Sequence, residues 1–482
     1  MAENQKALAI IFGGSGDLAY RKLYPAIYKL YKKGYLNKNF AIIGTARRAW
    51  TDDYYREIIR KSIDSLKISD SDAKEFASHF YYLSHNINDS QNYQELLTLA
   101  EDLDQKYDLE GNRLFYLSVS PKLFGTIAYH LKEENLTSTA GYNRLIIEKP
   151  FGTNLNESNR LNKNLLEAFS EEEIYRIDHY LGKEMVQAIP ILRFANPLIK
   201  KIWNKDYLSN IQITLAEDIG IEDRGTYYEQ SGALRDMAQN HILQLVSLLL
   251  MDEPKNFNSD CVCKEKIKVL KNLIPINKDN LDERIVRGQY IESEETPHLA
   301  AYRNENEVNP ESKVETFVAA KIESKDEKWE NVPLYFRTGK RMRAKNTQID
   351  LVFKNHLPLL FDDFNLSNNV LSIHIGPDEG LSFKMNSKSM TMKLEAEQIK
   401  LKYNEDGDIP DDYERLLLNT FQANKTSFVH AEEVSESWKY IDSIRAAWKN
   451  STESLKFYPA RSNGPKEAFD LLEKNGHHWI WK

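Results

Sequence analysis

Short apolar runs alternate with helix-like stretches through the first part of the chain. "ALAIIFGGSGDLA" is an apolar run, then glycines, then a polar helix start. "FAIIGTARR", "RLFYLSVS" and "RLIIEKPFG" are three more such runs. Between the last two, "PKLFGTIAYHLKEENL" carries Leu123, Ile127 and Leu131 at four-residue steps, which predicts a helix. Apolar strands alternating with helices imply βαβ units on a parallel sheet. This part reads as a doubly wound, Rossmann-like α/β domain.

Beyond residue 200 the period changes. "NIQITLAED" alternates Ile211, Ile213 and Leu215, "VPLYFRTGK" alternates Val332, Leu334 and Phe336, and "TQIDLVFK" alternates Ile349, Leu351 and Phe353. "NVLSIHIGP" and "MTMKLEAE" follow the same rule. Period two with one polar face predicts a large, mainly antiparallel sheet with one side covered. Polar loops such as "NENEVNPESK" and "NEDGDIPDD" separate the pieces. The 482 residues are too many for one ordinary core. The expected division is a Rossmann-like domain over 1–177 and an α+β domain with helices over 178–482.

Composition narrows the class. At 41% hydrophobic and 28% charged residues the chain is globular, and a net charge of −8 argues against nucleic-acid or acidic-membrane partners. An anionic substrate would have to be met by a few local cations. Cys261 and Cys263 are too few for a disulfide framework and too closely spaced for a good metal site. Reduced cysteines fit a cytoplasmic location. The apolar stretch Ile242 to Met251 is interrupted by Gln244 and Ser247 and is too short to span a bilayer. The expectation is a soluble protein with no bound metal and no membrane partner.

Candidate chemistry begins at the first glycine turn, Gly13-Gly14-Ser15-Gly16-Asp17-Leu18, completed by Ala19 as G-x-x-G-x-x-A. Between a strand and a helix start, such a turn lets backbone approach a pyrophosphate at the positive end of the helix. The second apolar run ends in Arg47 and Arg48 rather than in an acid. A guanidinium there matches the 2′-phosphate of NADP, whereas an acid would bind the bare ribose of NAD. Two solvated surface arginines fit the same letters, and NAD use stays open because an arginine does not expel a ribose.

Further along, "IIEKPFG" puts Lys149 at a strand's carboxyl end, where open parallel sheets bind ligands, and Pro150 holds it extended. In "RIDHYLGKE", Leu181, Met185, Ala188 and Leu192 mark a helix. His179 and Lys183 then share one face of its first turn, with Tyr180 beside them, as a phosphate site would require. Asp178 is left for another task. In "SGALRDMAQNHILQLVSLLL", His241 falls on the apolar stripe of Leu234, Met237, Leu245 and Leu248, where a core histidine is the ordinary reading. Asp236, Gln239, Asn240 and Gln244 are an unusual polar load for so buried a helix. "RTGKRMRAK" places Lys340 and Lys345 at a strand end.

The motifs "GGSGDLA", "EKPFG", "RIDHYLGKE", "RDMAQNH" and "RTGKRMRAK" stand in the order and approximate spacing of glucose-6-phosphate dehydrogenases, and the resemblance spans essentially the whole chain. It implies oxidation of glucose 6-phosphate at C1, with hydride passing to NADP, at the entry to the oxidative pentose phosphate pathway. His241 resembles the general base, and Asp178 the carboxylate that orients its imidazole. His179, Tyr180 and Lys183 resemble the phosphate cradle. Lys149, Glu217, Asp236, Lys340 and Lys345 resemble holders of the sugar and its phosphate, with Lys149 also near the nicotinamide. Ser15, Arg47 and Arg48 fall where the family binds the adenosine phosphate. "GPDEG" departs from the family by carrying Gly376 where many members have glutamine. A competing reading is a sugar oxidoreductase of the glucose–fructose oxidoreductase type, which shares the "EKP" run but needs no phosphate cradle. A catalytically dead NADP sensor would be expected to lose Asp178, Lys149 or His241, all of which are present. The large apolar-faced sheet suits a homodimer.

Overall fold

The computed structural model describes residues 5–355, 366–392, 395–404, 407, 409–449, 451 and 455–482, without the side chain of Asn37. Two compact units emerge from the packing: the first holds the chain up to Gly182 together with Lys255–Cys263 and Pro410–Ser435, and the second holds the rest.

In the first unit the apolar runs become β1 (Gln5–Phe12), β2 (Leu36–Ala46), β3 (Phe80–Ser84), β4 (Arg113–Leu117), β5 (Asn143–Glu148) and β6 (Ile174–Ile177). They pair in the order β3-β2-β1-β4-β5-β6, and every pair is parallel. That is the doubly wound order, with its switch point between β1 and β4. All five residues of β4 and the last six of β1 are buried, as a strand covered on both faces requires. Because the strands are parallel, all six carboxyl ends lie along one edge.

This unit runs past residue 177 to Gly182 and draws in a distant segment. The helix Asp412–Phe421 starts where Asp411 accepts the Tyr413 N–H (3.0 Å), and it buries Tyr413, Leu416, Leu417, Thr420 and Phe421 at helical spacing. Arg144 donates to the carbonyls of Thr420 and Phe421 (2.6 and 2.7 Å), tying β5 to that helix end. The Val429 N–H bonds the Arg176 carbonyl (3.1 Å) along the outer edge of β6.

The second unit is built on β7 (Leu208–Ala216), β8 (Ile285–Ile291), β9 (Phe317–Ile322), β10 (Leu334–Gly339), β11 (Asn346–Phe353), β12 (Val370–Gly376), β13 (Gly380–Lys388), β14 (Ala396–Asn404) and β15 (Lys456–Pro459). Their order is β14-β13-β12-β11-β7-β10-β9-β8-β15. Pairing is antiparallel except for β7 with β10 and β8 with β15. The expectation of one covered side fails at the centre, where β7 buries eight of its nine residues and β10 all six. It fails differently at the edge, where β14 buries none. Of the alternation over 390–397, Ala396 and Glu397 open β14, 390–392 and Glu395 lie outside any strand, and 393–394 lie outside the described residues. Among the described residues no helix is long and apolar enough to cross a membrane.

Candidate active site

Each unit carries its own set of candidate residues. In the first, β1 ends at Phe12, and the Gly13 and Gly14 N–H groups bond the Thr45 carbonyl (2.8 and 3.1 Å). Gly13 has φ +92°, and a Cβ there would lie 2.2 Å from the Ser118 carbonyl oxygen, so only glycine fits. The chain becomes helical at Asp17 and passes through a π-helical turn, Ala19–Leu23, into the helix Tyr24–Lys32. Tyr24 reaches back to the Gly14 carbonyl, and its hydroxyl meets that of Tyr55 at 2.7 Å. This cradle of backbone at a helix start fits a dinucleotide pyrophosphate. Ser15 and Gly16 are half-buried on it, Leu18 packs toward the core, and Asp17 is exposed in an ion pair with Arg21 (2.8 Å). Arg47 and Arg48 follow β2 on the surface. The Arg48 guanidinium sits 5.4 Å from the Trp50 ring centre, and its carbonyl accepts from the Tyr82 hydroxyl (2.8 Å).

At the other side of the switch point, β5 and β6 end level with each other, Glu148 opposite Ile177. Lys149 and Asp178 are therefore the next residue on two neighbouring strands. Lys149 is half-buried, and its bond to Pro150 is cis. Asp178 is 1% exposed and caps the turn that follows, its Oδ1 accepting the Tyr180 N–H (3.2 Å) and its carbonyl the Leu181 N–H (2.9 Å). His179–Gly182 form a 3₁₀ turn, with the His179 ring edge-on to Tyr180 at 5.0 Å. Lys183 is not on that turn. It is the extended N-cap (φ −72°, ψ 138°) of the helix Glu184–Phe194, which corrects the expectation that His179 and Lys183 share one helical face. The buried stripe of that helix is Met185, Val186, Ile189, Pro190 and Arg193, not the 185–188–192 spacing read from sequence.

Two aromatic residues that sequence reasoning passed over complete this corner. The Glu148 carboxyl accepts from the hydroxyl of Tyr116 on β4 and from that of Tyr413 on the helix Asp412–Phe421. Desolvation pushes it up to about 7, with the neighbouring Asp178 adding to the rise while the two phenols and Lys149 oppose it.

In the second unit the register gathers three candidates at one sheet edge. Gly339 and Asn346 both pair with Ala216, so Glu217, Lys340 and Lys345 flank the end of β7. Lys340 is buried and pairs with Glu217 (2.7 Å), while Lys345 is exposed. The Lys340 ammonium lies 5.8 Å from the ring centre of Tyr228. Burial raises the Tyr228 phenol well above its ordinary value, and the nearby Asp236 and Glu217 raise it further. Asp236 accepts from the Tyr227 hydroxyl (3.2 Å). Glu217, Asp236 and Lys340 thus surround Tyr228, a residue with no sequence signal beyond its aromaticity. At Gly376 an added Cβ would meet nothing within 4 Å, so the family's glutamine would project into open space.

The expected regular helix around His241 is broken in two ways. Gly232 (φ 63°, ψ 172°) kinks the helix Gly225–Ala233, and Leu234–Ile242 is then π-helical before α-helix resumes at Leu243–Leu250. In an α-helix, residues five apart point roughly 140° away from one another. The i→i+5 ladder instead stacks them, which brings Asp236 and His241 to the same side of the run. Both are buried, as are Gln239 and Asn240. The Ala233 N–H bonds the Glu315 carbonyl (2.9 Å) and the Leu234 N–H its carboxylate (3.2 Å), so Glu315 caps the start.

The family model for the glucose-6-phosphate dehydrogenase NAD binding domain matches residues 10–188, and that for the C-terminal domain matches 190–480. The chain is 47% identical to glucose-6-phosphate 1-dehydrogenase of Streptococcus pneumoniae serotype 4, covering 99% of this chain and 97% of the other. To that of Bacillus subtilis strain 168 it is 46% identical over 99% of both. A solved glucose-6-phosphate dehydrogenase in complex with its substrate glucose 6-phosphate superposes with a TM-score of 0.92 at 32% identity, covering 99% of this chain and 100% of that one. The chain belongs to the glucose-6-phosphate dehydrogenase family.

Proposed function

We propose that the protein oxidises D-glucose 6-phosphate at C1 to 6-phospho-D-glucono-1,5-lactone, in the cytoplasm and as a homodimer. NADP, with NAD as an alternative, supplies the nicotinamide that accepts the hydride. Carrying this reading is a chain matched almost end to end by the family's two domain models, over 10–188 and 190–480. The first unit is the cofactor-binding domain, with the cradle Gly13–Leu18 holding the pyrophosphate and Arg47 and Arg48 the 2′-phosphate. The second is the substrate and dimerisation domain. His241 takes the proton of the C1 hydroxyl, and Asp178 keeps the imidazole in the tautomer that can accept it. His179, Tyr180 and Lys183 bind the sugar phosphate, while Glu217, Asp236, Lys340 and Lys345 hold the rest of the sugar. Lys149 serves both the sugar and the nicotinamide.

The test is a steady-state assay with glucose 6-phosphate, offering NADP and NAD separately to wild type and to the double variant Arg47→Ala/Arg48→Ala. Charge-assisted bonds of about 1.5–3 kcal/mol imply that kcat/KM for NADP falls by one to two orders of magnitude while that for NAD hardly moves. Equal loss for both cofactors would move the arginines onto a shared part of the dinucleotide. Wild-type turnover of unphosphorylated sugar in preference to glucose 6-phosphate would favour the competing oxidoreductase reading.

A further inference from the structure

Glu148 has the geometry of a built site rather than of a strand's last solvated residue. It closes β5 one position before Lys149, and its register partner Ile177 stands one position before Asp178. Tyr116 reaches it from β4, where that residue pairs with Ile146 on the same face of the sheet. Tyr413 reaches it from a helix that returns to this unit from far along the chain. Both phenols are desolvated, which pushes their ionisation well above the ordinary range and keeps each a proton donor. The charged groups around the carboxyl are Lys149, the next residue of the chain, and Asp178, the residue after β6. Behind Tyr413 stand Asp411 and Asp412, with the Lys22 ammonium 6.0 Å from its ring centre.

We propose that Glu148 is a positioning residue of the reaction: clamped by Tyr116 and Tyr413, its carboxylate anchors the Lys149 ammonium and sets the field at Asp178, and it does so only when ionised. This rests on the function proposed above. A neutral Glu148 leaves Lys149 without one of its neighbouring anions. An ionised one holds the ammonium in place and, as a like charge, keeps the adjoining Asp178 carboxylate more basic. Neither oxygen need touch the sugar or the dinucleotide for this to operate.

The pH profile reads the effect. In wild type, kcat/KM for glucose 6-phosphate climbs between about pH 6 and about pH 8 as Glu148 ionises. Glu148→Gln keeps the size and an acceptor oxygen but removes the charge. It is expected to lose the part of that limb that Glu148 contributes and to fall about tenfold at the upper end, the worth of one charge-assisted contact. In Tyr413→Phe a donor to the charged form is missing, so the limb is expected to move to higher pH. A Glu148→Gln profile parallel to wild type, uniformly lowered or not, overturns the proposal. Should that variant fail to fold, an unshifted limb in Tyr413→Phe overturns it instead. Infrared difference spectra over the same pH range give a readout independent of turnover. The wild-type band of a protonated carboxyl is expected to disappear with rising pH and to be missing from Glu148→Gln throughout. No activity on glucose 6-phosphate would sink the functional reading while leaving this titration to decide whether Glu148 ionises near neutrality.

Discussion

His241 is a buried imidazole, and the two roles open to such a residue make different predictions. A core histidine contributes to stability, whereas a general base contributes to turnover. If His241 accepts the C1 proton, His241→Asn should lower kcat by roughly 10²–10⁴-fold with KM little changed. Circular dichroism and thermal unfolding should stay near wild type. Near-normal turnover in a folded His241→Asn protein would remove the base from this position. The letters around it were informative because polar residues inside a buried stripe cost free energy unless they have a task. Glu148 was harder to read: it stands in "EKPFG", but Tyr413, which defines its environment, is remote in sequence. Tyr228 carried no signal, since an aromatic residue next to a helix start is ordinary core. Lys183 was misread because a four-residue spacing places side chains on one face only where the backbone is already helical.

At the scale of elements, the strands with buried apolar runs were the most legible. β1, β2, β4 and β5 each hold at least three consecutive buried residues, the pattern of a parallel sheet covered on both faces. β3 escaped notice because "FYYLS" alternates in burial while its first four letters are all aromatic or aliphatic. The π-helical run was invisible for a different reason: its apolar residues keep the three- and four-residue spacings of an α-helix, and the extra residue per turn arises from packing. Gly232 sets the start of that run. Its φ/ψ lie in a region that is essentially glycine's alone, and a Cβ would come within 2.3 Å of the Glu315 carboxylate that caps Leu234. Gly232→Ala should therefore cost about 1–3 kcal/mol in urea unfolding from the backbone alone. It should also lower kcat several-fold by displacing the cap and turning Asp236 and His241. A loss of stability with unchanged kcat would show that the kink matters to folding and not to the site.

At the scale of the whole molecule, the outer hairpin of the nine-stranded sheet is the feature that a lone chain leaves unexplained. The register puts Leu381 beside Tyr403, Phe383 beside Leu401 and Met385 beside Ile399, so one face of β13–β14 is apolar over these three pairs and turns polar at Ser387 and Glu397. The opposite face carries Ser382, Lys384, Gln398, Lys400 and Lys402. Yet Leu401 and Tyr403 are 56% and 55% exposed, and Met390 and Met392 in the connecting turn are more exposed still. An exposed apolar face on an edge strand is an association or aggregation site unless something covers it. A second copy related by a two-fold axis would cover it with the same patch and close the assembly. The protein should then sediment at twice the 56.0 kDa chain mass. Leu401→Asp with Tyr403→Asp should convert it to a monomer, because two carboxylates would have to be buried unpaired at the centre of the contact. Both residues are exposed in the single chain, so the substitutions should leave its own fold intact, and circular dichroism is the check. A wild-type protein that sediments as one chain at micromolar concentration, or a double variant that still pairs, would place the contact elsewhere.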